Sequence, residues 1–219
     1  MPLCRKKKMK INERKAGKLI VFEGIDGAGK TTQIRLLEEY LRQNGRRVVC
    51  TAEPTDLPSG KQLRRALSGE EKRSPCELAA LFTLDRIAHN ILPEAGILAL
   101  LESGADVICD RYYYSTLAYQ GSETDEDWVR RMNLDCPEIR RPDLCIFLDL
   151  SPEESMARIN SRAGTHEIYE TTDRLERIRA QFHRVLRSFD PQSVRIVNAA
   201  GTIEEVQAEI RKIADSILQ

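Results

Sequence analysis

No apolar run in this 219-residue chain approaches the roughly 20 residues that a membrane span requires. The basic opening stretch MPLCRKKKMKINERKAGK has no apolar segment behind its charges, so it does not read as a secretory signal. Lys+Arg and Asp+Glu both total 34. A chain without net charge is not a globally basic nucleic-acid binder, although a local basic patch stays open. None of the six cysteines, Cys4, Cys50, Cys76, Cys109, Cys136 and Cys145, forms a C-x-x-C pair, which argues against a zinc or disulfide framework. Cys50, Cys109 and Cys145 fall in apolar, strand-like runs, where free cysteine behaves as a small hydrophobe. Buried, reduced thiols and a cytoplasmic location are expected. Repeats and low-complexity tracts are also missing.

What is present is alternation. Hydrophobic residues make up 41% of the chain, enough for a real core. Short apolar runs at 18–23, 46–52, 106–110, 143–150 and 194–199 read as strands. Between them, apolar spacing such as Ile34, Leu37 and Leu41 reads as helix, stopped at Asn44-Gly45. A short helix is expected after Ser59-Gly60. A longer one spans 75–102, broken or kinked at Pro93. Ser151 and Pro152 are placed as N-cap and first position of another helix, and Thr202 caps the last. The pattern predicts an α/β fold: three layers, with a five-stranded parallel sheet flanked by helices. Residues 1–17 are expected to form a solvated, disordered basic tail, and 18–219 a single domain. The polar stretch of about 158–172, with Gly164, is expected to be a short mobile lid. In a parallel sheet the loops after the strands gather along one edge, and the polar motifs all fall there.

The first motif is FEGIDGAGKTTQ (22–33). Gly24, four residues, then Gly29-Lys30-Thr31 is the spacing of a phosphate-binding loop, here behind an expected strand and opening an expected helix. Backbone N–H groups of Gly24, Ile25, Asp26, Gly27, Ala28 and Gly29 would turn around a phosphate, with the helix N-terminus adding partial positive charge. Lys30 would reach the β- and γ-phosphates, Thr31 would hold Mg²⁺ through its hydroxyl, and Thr32 would follow in the same turn. A glycine turn that merely packs does not account for the lysine. Asp110-Arg111 ends the third strand, where an Asp suits a metal shell and an Arg a second phosphate; taken alone, the dipeptide reads equally as a solvated ion pair.

The continuation VICDRYYYSTLAYQG (107–121) resembles the signature of the thymidylate kinases, D-R-aromatic-x-x-S-x-x-A-aromatic, matched by Asp110, Arg111, Tyr112, Ser115, Ala118 and Tyr119. TAEPT (51–55), ALFTLDR (80–86) and PDLCIFLDLSPEESMARI (142–159) resemble further elements of that family, so the likeness covers nearly everything after residue 17. It implies a P-loop NTPase fold and ATP-dependent phosphorylation of dTMP to dTDP, with ATP and Mg²⁺ as cofactors and a homodimer packed through helices that include 75–102. It also implies roles by position. Phe82 stacks on thymine and Arg86, one turn on, reaches a base carbonyl. Glu53 and Pro54 line the base, Pro54 on its methyl side. Thr116 contacts the base edge and Tyr119 packs under the sugar, with Ser115 and Gln120 in the same acceptor group. Asp26 faces sugar and metal, Arg111 binds the acceptor phosphate, and Asp110 joins Thr31 at the metal. The turn NAAG (198–201) lies beside the donor adenine.

Two positions depart from the family pattern. Gly27 stands where some members carry an arginine inside the phosphate loop; the other subgroup supplies that charge from the lid, which points to Arg162 as catalytic and Arg158 as a donor-side support. Ala52 stands where the family often has arginine. The catalytic set is thus Lys30, Asp26, Asp110, Arg111 and Arg162. A kinase for another nucleoside monophosphate, or a P-loop switch driven by hydrolysis, is the competing expectation. No membrane contact is expected, and no nucleic-acid contact outside the basic tail.

Overall fold

The run LIVFE becomes the central strand. In the computed structural model, which describes residues 16–161 and 171–218, β1 (Leu19–Glu23) is buried at every residue. It lies between β3 (Asp106–Asp110) and β4 (Leu144–Asp149). β2 (Val48–Ala52) and β5 (Val194–Asn198) form the edges, giving the parallel order β2-β3-β1-β4-β5. Register sets Phe22 beside Asp110 on one side and Ile146 on the other. Strands buried on both faces need helical cover on both, and each crossover supplies it.

After β1 comes α1 (Lys30–Gln43), and after β2 come α2 (Pro58–Leu67), α3 (Pro75–Ile91) and α4 (Ile97–Glu102). After β3 come α5 (Tyr113–Tyr119) and α6 (Glu126–Leu134). β4 leads into α7 (Pro152–Asn160) and α8 (Thr172–Leu186), and β5 into α9 (Ile203–Leu218). α1 packs on α9, α5 on α8, and α3 on α5 and α6.

The caps follow the sequence closely. Ser74 and Glu77 form a reciprocal capping box at the start of α3, and Ser151 Oγ accepts from the Glu154 N–H with Pro152 in the first turn. Such caps are worth about 1 kcal/mol each. Pro93 separates α3 from α4, as expected. Thr202 Oγ1 accepts from the Glu205 N–H at the head of α9.

Three details differ from expectation. α2 starts at Pro58, so Ser59 and Gly60 are inside it. Arg158 and Thr172 are helical, the last turn of α7 and the first residue of α8. Cys109 and Cys145 are buried but Cys50 is exposed, because β2 is an edge strand whose alternate residues face out. Helices α5, α6 and α8 carry no sequence boundary as plain as Ser151-Pro152 and were not delimited from sequence.

Candidate active site

The phosphate loop turns between β1 and α1 on glycines. Gly24, Gly27 and Gly29 have φ of 149°, 80° and 95°, values that side chains rarely adopt. At Gly27 a Cβ would also meet the Ser155 carbonyl oxygen at 2.8 Å, and Ser155 Oγ itself donates to the Asp26 carbonyl. The loop is pressed against α7, and a side chain at this position would run into it. Ile25 and Ala28 bury their side chains in the core, so they offer the loop only backbone. Lys30 is 8% exposed; its Nζ donates to the carbonyls of Gly24 at 3.2 Å and Ile25 at 3.4 Å and lies 4.0 Å from Asp26. Burial and the nearby Arg111 lower the Lys30 pKa to about 8, with Asp110, Asp26 and Glu23 pulling the other way. Thr31 is exposed and Thr32 half-buried at the mouth of the loop.

A cleft of about 280 Å³ opens beside the loop, lined by Gly27, Gly29, Thr32, Arg158, Gly201 and Ile203 among others. Arg158 donates to the Ala199 carbonyl at 2.9 Å, so α7 and the turn after β5 are joined across it. Gln33 Nε2 donates to the Ile203 carbonyl at 3.1 Å and ties α1 to the start of α9 on the same side.

On the other side of the loop, β3 ends in Asp110 and Arg111. Arg111 has φ 67°, a strained backbone for a residue with a side chain and one of a kind that clusters at functional sites. Its guanidinium reaches Asp26 Oδ1 at 2.5 Å and Ser115 Oγ at 3.1 Å. The solvated Asp110–Arg111 pair is therefore not formed; Arg111 pairs with Asp26. Burial raises the Asp26 carboxyl, but Arg111 and Lys30 outweigh it and the pKa is lowered overall. Asp110 Oδ1 and Tyr119 Oη are buried with no hydrogen-bond partner among the described residues. A carboxylate oxygen in that state is costly and suits a cation or its bound water. With the exposed Thr31 hydroxyl at the head of α1, the residues present fit an oxygen-ligated Mg²⁺.

Glu23, the last residue of β1, is a functional-site support that the phosphate-loop spacing does not mark. It is fully buried and fastens the head of α5: its carboxylate accepts from Tyr112 N–H at 2.8 Å, Ser115 N–H at 3.1 Å and Ser115 Oγ at 2.6 Å. Burial raises its pKa to about 7 against these bonds and the charge of Arg111.

A second cleft, of about 250 Å³, is lined by Asp26, Glu53, Pro54, Phe82, Arg86, Arg111, Ser115, Thr116, Tyr119 and Gln120, together with Leu67 and Tyr112. Every residue assigned from sequence to the acceptor is in this wall. Phe82 is half-buried and faces the cleft rather than joining the core. Arg86 is no solvated partner of Asp85. It is 1% exposed and paired with Glu53 at 2.7 Å, while Asp85 is itself buried on Thr55 and Ser59. The Arg86 guanidinium lies over the Tyr112 ring, 5.0 Å from its centre. Tyr113 and Tyr114 pack in the core against Phe189. Ala52, the second departure, faces solvent at the edge of the sheet, and Glu53 beside it is held by Arg86 and His89 instead. His89 and Asn133 were missed from sequence. His89 is one turn beyond Arg86 on the same face, a readable signal; Asn133 comes from α6, and nothing local points to it. Arg162 lies outside the described residues.

Comparison with known proteins gives one answer. A sequence model described as thymidylate kinase matches residues 22–210. A probable thymidylate kinase of Pyrococcus horikoshii is 39% identical over 200 residues, 89% of this chain and 94% of that protein. The thymidylate kinase of Symbiobacterium thermophilum is 36% identical over 210 residues, 91% of this chain and 93% of that one. Among solved structures, a thymidylate kinase from Candida albicans superposes with a TM-score of 0.76 at 25% identity, covering 92% of each chain. With its phosphate loop flanked by two clefts and this match along nearly its whole length, the chain belongs to the thymidylate kinase family.

Proposed function

We propose that the chain transfers the γ-phosphoryl group of ATP to the 5′-phosphate of dTMP, giving dTDP and ADP, with residues 18–219 acting as one kinase domain. One observation carries the reading. Consecutive residues of the phosphate loop face different cavities: Asp26 lines the acceptor cleft and Gly27 the donor cleft. Two nucleotides seated there would meet phosphate to phosphate across a single turn of backbone.

ATP is assigned to the cleft of Gly27, Gly29, Thr32 and Arg158, its adenine beside the turn 198–201. dTMP is assigned to the other cleft, its base between Phe82, Pro54, Thr116 and Arg86, its sugar over Tyr119, its phosphate on Arg111. An acceptor phosphate oxygen attacks the γ-phosphorus as the bond to the β-phosphate oxygen breaks, with no covalent enzyme intermediate. Catalysis is then positioning and charge neutralisation. Lys30 cradles the β/γ-phosphates, and Arg111, held by Asp26 and Ser115, fixes the acceptor. Thr31 and Asp110 would hold Mg²⁺, which supplies further positive charge on the phosphates. Arg162 is proposed to add charge from the stretch after α7; this role rests on sequence.

The outer face of α3 supports a homodimer. Ala80, Leu84 (52% exposed) and Ile91 (45% exposed) form an exposed apolar stripe at helical spacing. No described helix is long and apolar enough to cross a membrane, in keeping with the proposed cytoplasmic location.

The test is ADP release from Mg-ATP across dTMP, dUMP, UMP, CMP, AMP and GMP. Strong preference for dTMP with dUMP second is expected. Equal use of another monophosphate would retain phosphoryl transfer but refute the base assignment, and ADP formed at the same rate without any acceptor would refute the kinase reading.

A further inference from the structure

Beneath the acceptor cleft runs a buried polar chain of which the proposed reaction uses only Arg86 and Thr116. Thr51 Oγ1 lies 2.7 Å from His89 Nε2, and His89 Nδ1 lies 3.1 Å from Glu53 Oε1. The other Glu53 oxygen accepts from Arg86 Nε at 2.8 Å and lies 2.7 Å from Nη2 in an ion pair. Nη2 also donates to Thr116 Oγ1 at 3.2 Å, and Nη1 to Asn133 Oδ1 at 2.5 Å. The Asn133 amide nitrogen is turned away onto the Val129 carbonyl and Thr83 Oγ1, which fixes its oxygen toward Arg86. A guanidinium carries five N–H bonds. The hydrogen bonds just named engage one each on Nε, Nη2 and Nη1; with Nη2 also at ion-pair distance from Glu53, Nη1 keeps one hydrogen for a ligand.

Where that hydrogen points depends on how the guanidinium plane is held, and the plane is held by Glu53. Glu53 is held in turn by His89. A carboxylate only accepts, so Nδ1 of His89 carries the hydrogen of that bond, and the Thr51 hydroxyl completes Nε2. From His89 inward the chain is dry: Arg86 is 1%, Asn133 1%, Glu53 5% and His89 6% exposed, with Thr51 half-buried at its outer end. A hydrogen bond misaligned in such surroundings is not replaced by water.

We infer that His89 is a positioning residue for the acceptor base: braced by Thr51 and bonded to Glu53, it sets the direction of the remaining Arg86 N–H and thereby the preference for a pyrimidine with a carbonyl where cytosine has an amine. The inference rests on the assignment of the base to the Phe82–Arg86 cleft. A metal is the competing use of this cluster, since ligand atoms of Glu53, His89 and Cys109 lie within 4.8 Å of one another. Arg86 already occupies Glu53 and would set its positive charge beside any dication, and the Cys109 thiol donates to the Arg111 carbonyl at 3.1 Å. The geometry favours hydrogen bonding.

The experiment is steady-state kinetics on purified full-length protein carrying His89→Ala, His89→Asn, His89→Gln or Phe82→Ala, with zinc content measured on the wild type. His89→Ala should raise KM for dTMP about tenfold, the size of one misplaced charged hydrogen bond. It should leave KM for ATP unchanged and kcat within about twofold, and shrink the preference for dTMP over dCMP by a similar factor. The Asn side-chain nitrogen can stand where Nδ1 stood, so His89→Asn should recover most of the loss; the Gln amide reaches the Nε2 position instead, and His89→Gln should not. Equal behaviour of the Asn and Gln variants, or a fall in kcat with both KM values unchanged, overturns the positioning role. Stoichiometric zinc lost on substitution of His89 overturns it in favour of the metal. If Phe82→Ala raises KM for dTMP but His89→Ala does not, the inference fails alone. If neither does, the base lies elsewhere and the cleft assignment fails with it.

Discussion

The donor and acceptor clefts lie on either side of one loop and are close in volume, about 280 and 250 Å³, yet they are made of different material. The donor side is chiefly backbone: glycines at positive φ, a helix N-terminus and the turn after β5, with Arg158 bridging two elements. The acceptor side is chiefly side chains, brought from β2, α3, β3 and α5 and fixed by buried hydrogen bonds. A phosphate chain is common to all nucleotides and can be held by N–H groups that any sequence provides. A base has to be told from other bases, which takes side chains whose directions are set by their neighbours. The difference predicts that damage to the donor side will be nearly all-or-none, and that damage to the acceptor side will be graded and selective.

The largest effect is expected at the donor-side lysine. Lys30→Met should lower kcat about 10³-fold, as loss of a charge-stabilising group does, while dTMP binding measured by calorimetry stays within about twofold. A parallel loss of dTMP affinity would erase the division between the clefts. Next is Gly27→Ala. Its φ of 80° and the 2.8 Å approach to the Ser155 carbonyl should cost roughly 2 kcal/mol of stability, read as a lower denaturation midpoint, together with weakened ATP binding. An unchanged midpoint would mean the loop tolerates side chains and is not built on glycine geometry.

On the acceptor side Thr116→Val keeps shape but removes the oxygen that accepts from Arg86. KM for dTMP should rise about fivefold with KM for ATP unchanged; equal rises in both would show that the two sides are not separable.

The last prediction concerns Glu23, which serves the acceptor side from beneath and bears on stability rather than on substrate use. Its folded pKa of about 7 is above the ordinary value of 4.5. Between those values the folded state holds the proton more tightly than the unfolded one. Stability should therefore fall as pH rises from 4.5 to 7, by about 1.4 kcal/mol per pH unit at most from this group. Glu23→Gln, with no titrating proton, should flatten that part of the profile. A profile identical to wild type in denaturant titrations would show that Glu23 does not titrate there.

The same contrast explains what could be read from sequence. Gly24, Gly29 and Lys30 declare the donor side because backbone geometry imposes a spacing. The strands declare themselves because burial on both faces demands unbroken apolar runs, and Ser151-Pro152 marks its helix because caps are local. Local signals do not extend to the acceptor network. Phe82 and Arg86 are legible only through family resemblance; by themselves, an aromatic in ALFTL and an arginine beside Asp85 read as a core ring and a solvated pair. Asn133 is 47 residues from the arginine it holds, and no pattern in α6 marks it. Cys50 went wrong for a related reason: an edge strand and a central strand can share composition, and only topology distinguishes them.

α3 has one more implication. Phe82, Arg86 and His89 look inward from it; Ala80, Leu84 and Ile91 look outward. If the inward face holds the base as proposed and the outward stripe is where two copies meet, one helix of 17 residues serves both thymine recognition and self-association, and the two faces cannot diverge independently in evolution. A substitution that slides the helix along its twin would surface as altered nucleotide preference, and one that reshapes the base cleft as altered assembly. An inhibitor aimed at either face would therefore meet resistance mutations on the other.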